Sequence, residues 1–276
     1  MPVTPSRVDP AIVRRLRAAG CVFAEDEARL LVAEAGSPAH LEAMVEQRLT
    51  GVPLEHVLGW AQFCGLRIAV DPGVFVPRLR TEFLVNQAAA LAGDSWPIVV
   101  VDLCCGSGAV GAALVDALGD VELHAVDVDP AAVVCARRNV STAGGRVYEG
   151  DLYEPLPPAL RGGVDMVVAN APYVPTGALG LLPREARVYE PPVALDGGDD
   201  GLDVVRRVAA SATAWLAPGG HLLVETSEDQ ASPAVEIFTR NGLEGRSASS
   251  GDLGATVVIG TRPALPSRPG ERTHRA

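Results

Sequence analysis

The chain contains no lysine, so all 23 of its basic residues are arginines, and 34 acidic residues leave a formal net charge of −11. Such a surface repels a phosphate backbone, which argues against general nucleic-acid binding while leaving room for a local basic groove. Its five cysteines, Cys21, Cys64, Cys104, Cys105 and Cys135, have neither an even disulfide framework nor the paired spacing of a zinc site. They are read as reduced packing residues. No apolar run approaches the roughly 20 residues of a spanning helix, and the opening segment is charged where a signal peptide would be apolar. A cytoplasmic protein is expected. His56, His124 and His221 are scattered, no Ser-His-Asp arrangement is evident, and no metal site is expected.

What is present is ample apolar material, 48% of 276 residues. That length exceeds a usual domain of about 100 to 150 residues, so one large domain and a smaller one are expected. Asp9 is placed as a helix N-cap with Pro10 at the first helical position and Gly20 as a stop. Further apolar periodicities run through Ala28, Leu31 and Val32, and through Leu41, Met44, Val45 and Leu49. Residues 1–62 are therefore read as a small helical domain. Residues 63–80 read as a β-hairpin linker, with Leu66, Ile68 and Val70 alternating and Asp71-Pro72-Gly73 supplying turn chemistry.

From residue 81 to 262 strands alternate with helices. Strands are expected at 97–103, 121–128, 146–150, 164–170 and 220–226, helices at 109–118, 130–140 and 202–216, and a final strand pair in EGRSASS and ATVVIGTR. This order implies an α/β fold with a parallel sheet covered on both faces. The tail, 263–276, is rich in proline and arginine and reads as disordered.

Between the first strand and first helix of the sheet lies DLCCGSGAVG, where Gly106, Gly108 and Gly111 satisfy GxGxxG and Asp127 ends the next strand. Taken literally this is a dinucleotide fingerprint. Asp102, immediately before the glycines, would repel a diphosphate but suits a ligand with an ammonium and a sulfonium, such as S-adenosylmethionine. The carboxylate of that ligand could use the loop amides and helix N-terminus. Asp127 could hold its ribose, and the turn at Gly150, Asp151 and Leu152 its adenine.

The succession DLCCGSGAVG, AVDVDPAAVVCARRN, GDLYEPL, NAPYVP, YEPPVALDGGDDGLD and APGGHLLVETSEDQ resembles the HemK/PrmC protein glutamine N5-methyltransferases over roughly residues 40–235. Upstream, FCGLRIAVDPGVFVPRLRTEFLV resembles that family's hairpin and its proline-arginine segment. The resemblance implies a class I S-adenosylmethionine-dependent methyltransferase with a seven-stranded sheet, its last strand antiparallel, and an N-terminal domain that recognises the protein substrate. It implies a Gly-Gly-Gln acceptor in a peptide-chain release factor. A monomer without direct nucleic-acid contact is expected. By position, Cys104, Cys105, Gly106, Ser107, Gly108, Asp127, Leu152 and Asn170 would line the cofactor site, with Asp102 and Asp151 beside them. Asn170, Ala171, Pro172 and Tyr173 would form the pocket for the target amide.

Three departures mark the chain as a divergent paralogue: Ala171 in a motif usually Asn-Pro-Pro-Tyr, Cys104 where a glycine is usual, and the lack of an arginine common near the family's C-terminal end. Methylation of a different protein or small-molecule amide or amine is the nearest alternative. An adenine-N6 DNA methyltransferase, an NAD-dependent oxidoreductase and a non-catalytic binding module are the others.

Overall fold

The computed structural model describes residues 9–93 and 97–264; the expected tail lies almost wholly outside them. The first three helices are α1 (Pro10–Ala18), α2 (Ala24–Glu34) and α3 (Pro38–Leu49), followed by a short α4 (Leu54–Leu58). Asp9 caps α1 by accepting the Ala11 N–H, with Pro10 at the first position, and Ser37 with Pro38 starts α3 in the same way. Leu16, Leu31 and Val45 close a separate apolar core among these helices.

Strands β1 (Trp60–Phe63) and β2 (Leu66–Ala69) form the hairpin. Its turn is at Cys64 and Gly65, not at Asp71-Pro72-Gly73 as the sequence suggested. Both turn residues have positive φ, 47° and 79°, the combination that matches the right-handed twist of paired strands. Asp71-Pro72-Gly73 makes a second turn, closed by the Val74 N–H on the Asp71 carbonyl, and redirects the chain toward the sheet. Phe63 is fully buried in the same apolar cluster as Val100 and Leu123 of the sheet, a burial that contributes about 2 kcal/mol.

Helix α5 (Glu82–Ala90) leads into β3 (Ile98–Leu103), α6 (Ala109–Leu118), β4 (Val121–Asp127), α7 (Pro130–Ser141), β5 (Arg146–Glu149) and β6 (Val164–Ala169). After a short α8 (Arg184–Tyr189) come α9 (Asp203–Trp215), β7 (Leu216–Thr226), α10 (Glu228–Arg240), β8 (Glu244–Ser250) and β9 (Ala255–Thr261). The strand order is β5-β4-β3-β6-β7-β9-β8, parallel except for β9, which runs antiparallel to both its neighbours. One face packs against α5, α6 and α7 and the other against α9 and α10, leaving two buried clusters. The strand order reverses at β3 and β6, which places a crevice beyond their carboxyl ends. The side chain of Asn139 on α7 exchanges two 2.9 Å hydrogen bonds with the backbone of Ala69, so the hairpin edge is pinned to the domain that carries the crevice.

Candidate active site

A cleft of about 1050 Å3, partly open to solvent, lies at that crevice. Asp102, Cys104, Cys105, Gly106, Ser107, Asp127, Asp151, Leu152, Asn170 and Pro172 all line it. Gly108 does not. It stands at φ 76° as the residue before α6, where an added Cβ would lie 2.7 Å from a Val140 methyl, so its bareness serves helix packing. Cys104 and Leu152 take φ of 54° and 50°, left-handed conformations that cost a residue with a Cβ roughly 1 kcal/mol or more.

The Asp127 carboxyl accepts the Gly106 N–H at 2.7 Å and the Asp129 N–H at 2.9 Å, which fixes it at the floor of the cleft; burial raises its pKa. Asp102 is buried and accepts the Gly111 N–H at 2.9 Å. Burial lifts its pKa to about 7, partly countered by that hydrogen bond and reinforced by Asp127. Burial also pushes the thiols of Cys104 and Cys105 far up, so neither is a ready nucleophile. Arg207 on α9, the one guanidinium in this wall, is tied to Asp151. A buried carboxyl, a part-buried one and no free guanidinium in the lining suit a cationic ligand and oppose a diphosphate. Val128, half exposed, adds an apolar surface beside Asp127 suited to a flat ring.

A second cleft of about 780 Å3 adjoins the first. Ala171 and Tyr173 line only this one, whereas Asn170 and Pro172 belong to the walls of both. Asn170 follows the last residue of β6, and its Nδ2 donates to Thr81 Oγ1 at 3.4 Å. No described hydrogen bond ends on Asn170 Oδ1 or on the Ala171 carbonyl. The Tyr173 hydroxyl donates to buried Glu225 at 3.3 Å, and Arg80 binds both the hydroxyl and, at 3.2 Å, the same carboxyl. The Tyr173 carbonyl accepts from Gln230 Nε2 at 2.9 Å; the same nitrogen donates to the Asp200 carbonyl at 3.0 Å. Behind the motif the fit is backbone on backbone. A Cβ on Gly197 would lie 2.7 Å from the Pro172 carbonyl oxygen, and one on Gly201 would lie 2.2 Å from that of Tyr173.

Pro191, Val193 and Ala194 line the first cleft, and Glu190 is buried in the wall of the second. Sequence reasoning named none of Thr81, Val128, Arg207 and Gln230 for the site. The RLRTE segment and the Ser227-to-Gln230 spacing of a capping box were the available signals for Thr81 and Gln230. Among the described residues no group of three or more His, Cys, Asp or Glu could hold a metal ion, and no helix is long and apolar enough to cross a membrane.

Sheet order, glycine loop and the paired clefts define a class I S-adenosylmethionine-dependent methyltransferase. The model of the methyltransferase small domain matches residues 66–180. A methyltransferase structure from Pyrococcus furiosus superposes with a TM-score of 0.53 at 16% identity, covering 72% of this chain and 90% of its own, a likeness of fold. A release factor glutamine methyltransferase of Geobacter sulfurreducens is 38% identical over 81% of this chain and 78% of its own. A 4-amino-L-phenylalanine/4-methylamino-L-phenylalanine methyltransferase of Streptomyces pristinaespiralis is 37% identical over 72% and 69%. The chain belongs to the HemK/PrmC family of protein-(glutamine-N5) methyltransferases.

Proposed function

We propose that this enzyme transfers a methyl group to the side-chain amide nitrogen of a glutamine in a peptide-chain release factor. The carrying observation is the position of Asn170, in the shared wall of the two clefts with its Oδ1 free. S-adenosylmethionine, when bound, supplies an electrophilic methyl on a sulfonium. Asp102 would face its ammonium, Cys104 to Ser107 its carboxylate end, Asp127 its ribose, and Asp151 and Leu152 its adenine. In this reading the enzyme acts as a cytoplasmic monomer, and its acidic composition opposes direct nucleic-acid contact.

A primary amide nitrogen is a poor nucleophile because its lone pair is delocalised into the carbonyl. The enzyme must hold the NH2 group so that nitrogen, methyl and leaving sulfur fall in line. Asn170 Oδ1 would accept one N–H and the Ala171 carbonyl the other. Both favour the nitrogen as it becomes positive. Thr81 Oγ1, accepting the hydrogen bond from Asn170 Nδ2, would keep Oδ1 turned toward the acceptor. Pro172 confines Ala171 to extended geometry and so sets the direction of its carbonyl. Tyr173, held through its hydroxyl, would give the amide a flat surface.

The test is mass spectrometry of a release factor after incubation with enzyme and cofactor: one methyl is expected on the glutamine of Gly-Gly-Gln, and none on a Gln→Ala substrate. A second reading, methylation of the amine of a free amino acid, draws its support from the relative of Streptomyces pristinaespiralis. Methylation of free 4-aminophenylalanine with an unmodified release factor would favour it.

A further inference from the structure

Glu190 Oε2 and Glu225 Oε2 are buried carboxyl oxygens with no hydrogen-bond partner. Leaving such an acceptor dry and unpaired is unfavourable, so each demands an explanation. Glu225 lies behind Tyr173 and lines neither cleft. Glu190 differs because it stands in the wall of the second cleft together with Asn170, Ala171 and Tyr173. Its other oxygen is already used: Oε1 accepts the Val76 N–H at 3.3 Å and the guanidinium of Arg78. The carboxyl is therefore clamped from one side, with one acceptor left over.

Two guanidiniums share this wall. Arg78 is held by Glu190, and Arg80 by Glu225 and Tyr173; both are partly exposed. A guanidinium carries five N–H donors, more than these described bonds consume. The cleft thus sets one unpaired acceptor and a pair of oriented donors around the motif expected to hold the target side chain. That combination complements the two polar groups flanking any amino-acid side chain, a nitrogen bearing hydrogen and a carbonyl or carboxyl oxygen.

We propose that the second cleft reads the main chain of the residue being methylated, with Glu190 Oε2 accepting from its α-nitrogen and Arg78 and Arg80 donating to its carbonyl or carboxyl oxygen. The inference rests on the reading of this cleft as the acceptor site. The α-nitrogen is an amide N–H in a polypeptide and an ammonium in a free amino acid, and the same three side chains serve either.

The experiment compares acceptors that differ only in that nitrogen. One pair is a capped peptide containing Gly-Gly-Gln and its depsipeptide, in which an ester oxygen replaces the glutamine N–H. The other is 4-aminophenylalanine and its des-amino analogue. Each is assayed with wild type and Glu190→Gln, and cofactor affinity by calorimetry reports whether the variant is folded. Wild type is expected to lose about tenfold or more in kcat/KM when the N–H is removed, the size of one hydrogen bond to a charged group. Glu190→Gln is expected to lose that preference, since it presents either a neutral acceptor or an N–H at the same place. The pair in which the preference appears identifies the source. An equal loss in both enzymes overturns the inference. If Glu190→Gln binds no cofactor, Glu190→Asp is read by the same criterion. Wild type that methylates none of the four acceptors overturns the acceptor reading beneath it, a result distinct from methylation without N–H dependence.

Discussion

Arg48 on α3 joins Glu185 on α8 through a 2.7 Å ion pair, linking the helical N-terminal region directly to the segment that walls the second cleft. Arg48 is itself buried and bound to Glu27 at 2.7 Å, whereas Glu185 is half exposed. The two ends of this network should therefore differ in weight. Arg48→Ala strands a buried Glu27 and is expected to cost about 3 kcal/mol, seen as a lowered midpoint in denaturant. Glu185→Ala should cost under about 1 kcal/mol and instead raise the KM for a protein acceptor, with cofactor affinity unchanged by calorimetry.

Asn170→Ala should abolish methyl transfer while cofactor binding stays within about threefold of wild type, because the lost group is one oxygen in a large cleft. Transfer of labelled methyl at the wild-type rate would overturn the role given to Asn170. Thr81→Val keeps the shape but removes the partner of Asn170 Nδ2, and a fall in kcat of about tenfold with little change in cofactor affinity is expected.

Asp102 predicts a pH dependence. Its folded pKa is raised from 3.8 to about 7, so between these values the folded protein binds more protons than the unfolded chain and stability falls as pH rises. The full effect corresponds to an upper bound on the order of 4 kcal/mol. Asp102→Asn retains an acceptor for the Gly111 N–H. It should melt above wild type at pH 8 and close to it at pH 4, measured without cofactor. S-adenosylmethionine should bind it more weakly, since the negative charge facing the ammonium is gone.

Cys104→Gly removes a Cβ from a backbone at φ 54° and should relieve roughly 1 kcal/mol of strain. The gain is reduced by packing lost against the apolar cluster that Cys104 adjoins. A melting temperature raised by no more than a few degrees is the expected result. A melt lowered by several degrees would mean that packing outweighs strain.

The central sheet was legible because its strands carry apolar runs broken only by one aspartate each, VVVDL at 99–103 and VDMVVA at 164–169, that suit a doubly covered sheet. Helix α10 was harder, since Pro233 falls inside it and reads as a breaker. The cofactor loop and the tetrapeptide are contiguous in sequence and were found; the pairs that hold them are not. Arg207 meets Asp151 across 56 positions, Glu190 meets Arg78 across 112, and Glu225 meets Arg80 across 145. No local periodicity announces such pairings, because they depend on how the chain returns to the crevice. The hairpin turn was misplaced for a related reason: Asp71-Pro72-Gly73 has the stronger composition, yet register was set by Phe63 and Ile68 reaching the core.

The bare α-carbons of Gly197 and Gly201 let one stretch of main chain lie directly on another, so the direction of the motif's carbonyls is inherited from a loop about 25 residues away. A side chain at either glycine would have to push backbone aside, whereas Glu190, Arg78, Arg80 and Tyr173 surround the same cleft with side chains alone. Geometry for the nitrogen that accepts the methyl and choice of the molecule that carries it are thus written in separable parts of the chain. Rebuilding the acceptor wall should redirect the enzyme to other amides or amines without dismantling the apparatus that methylates them.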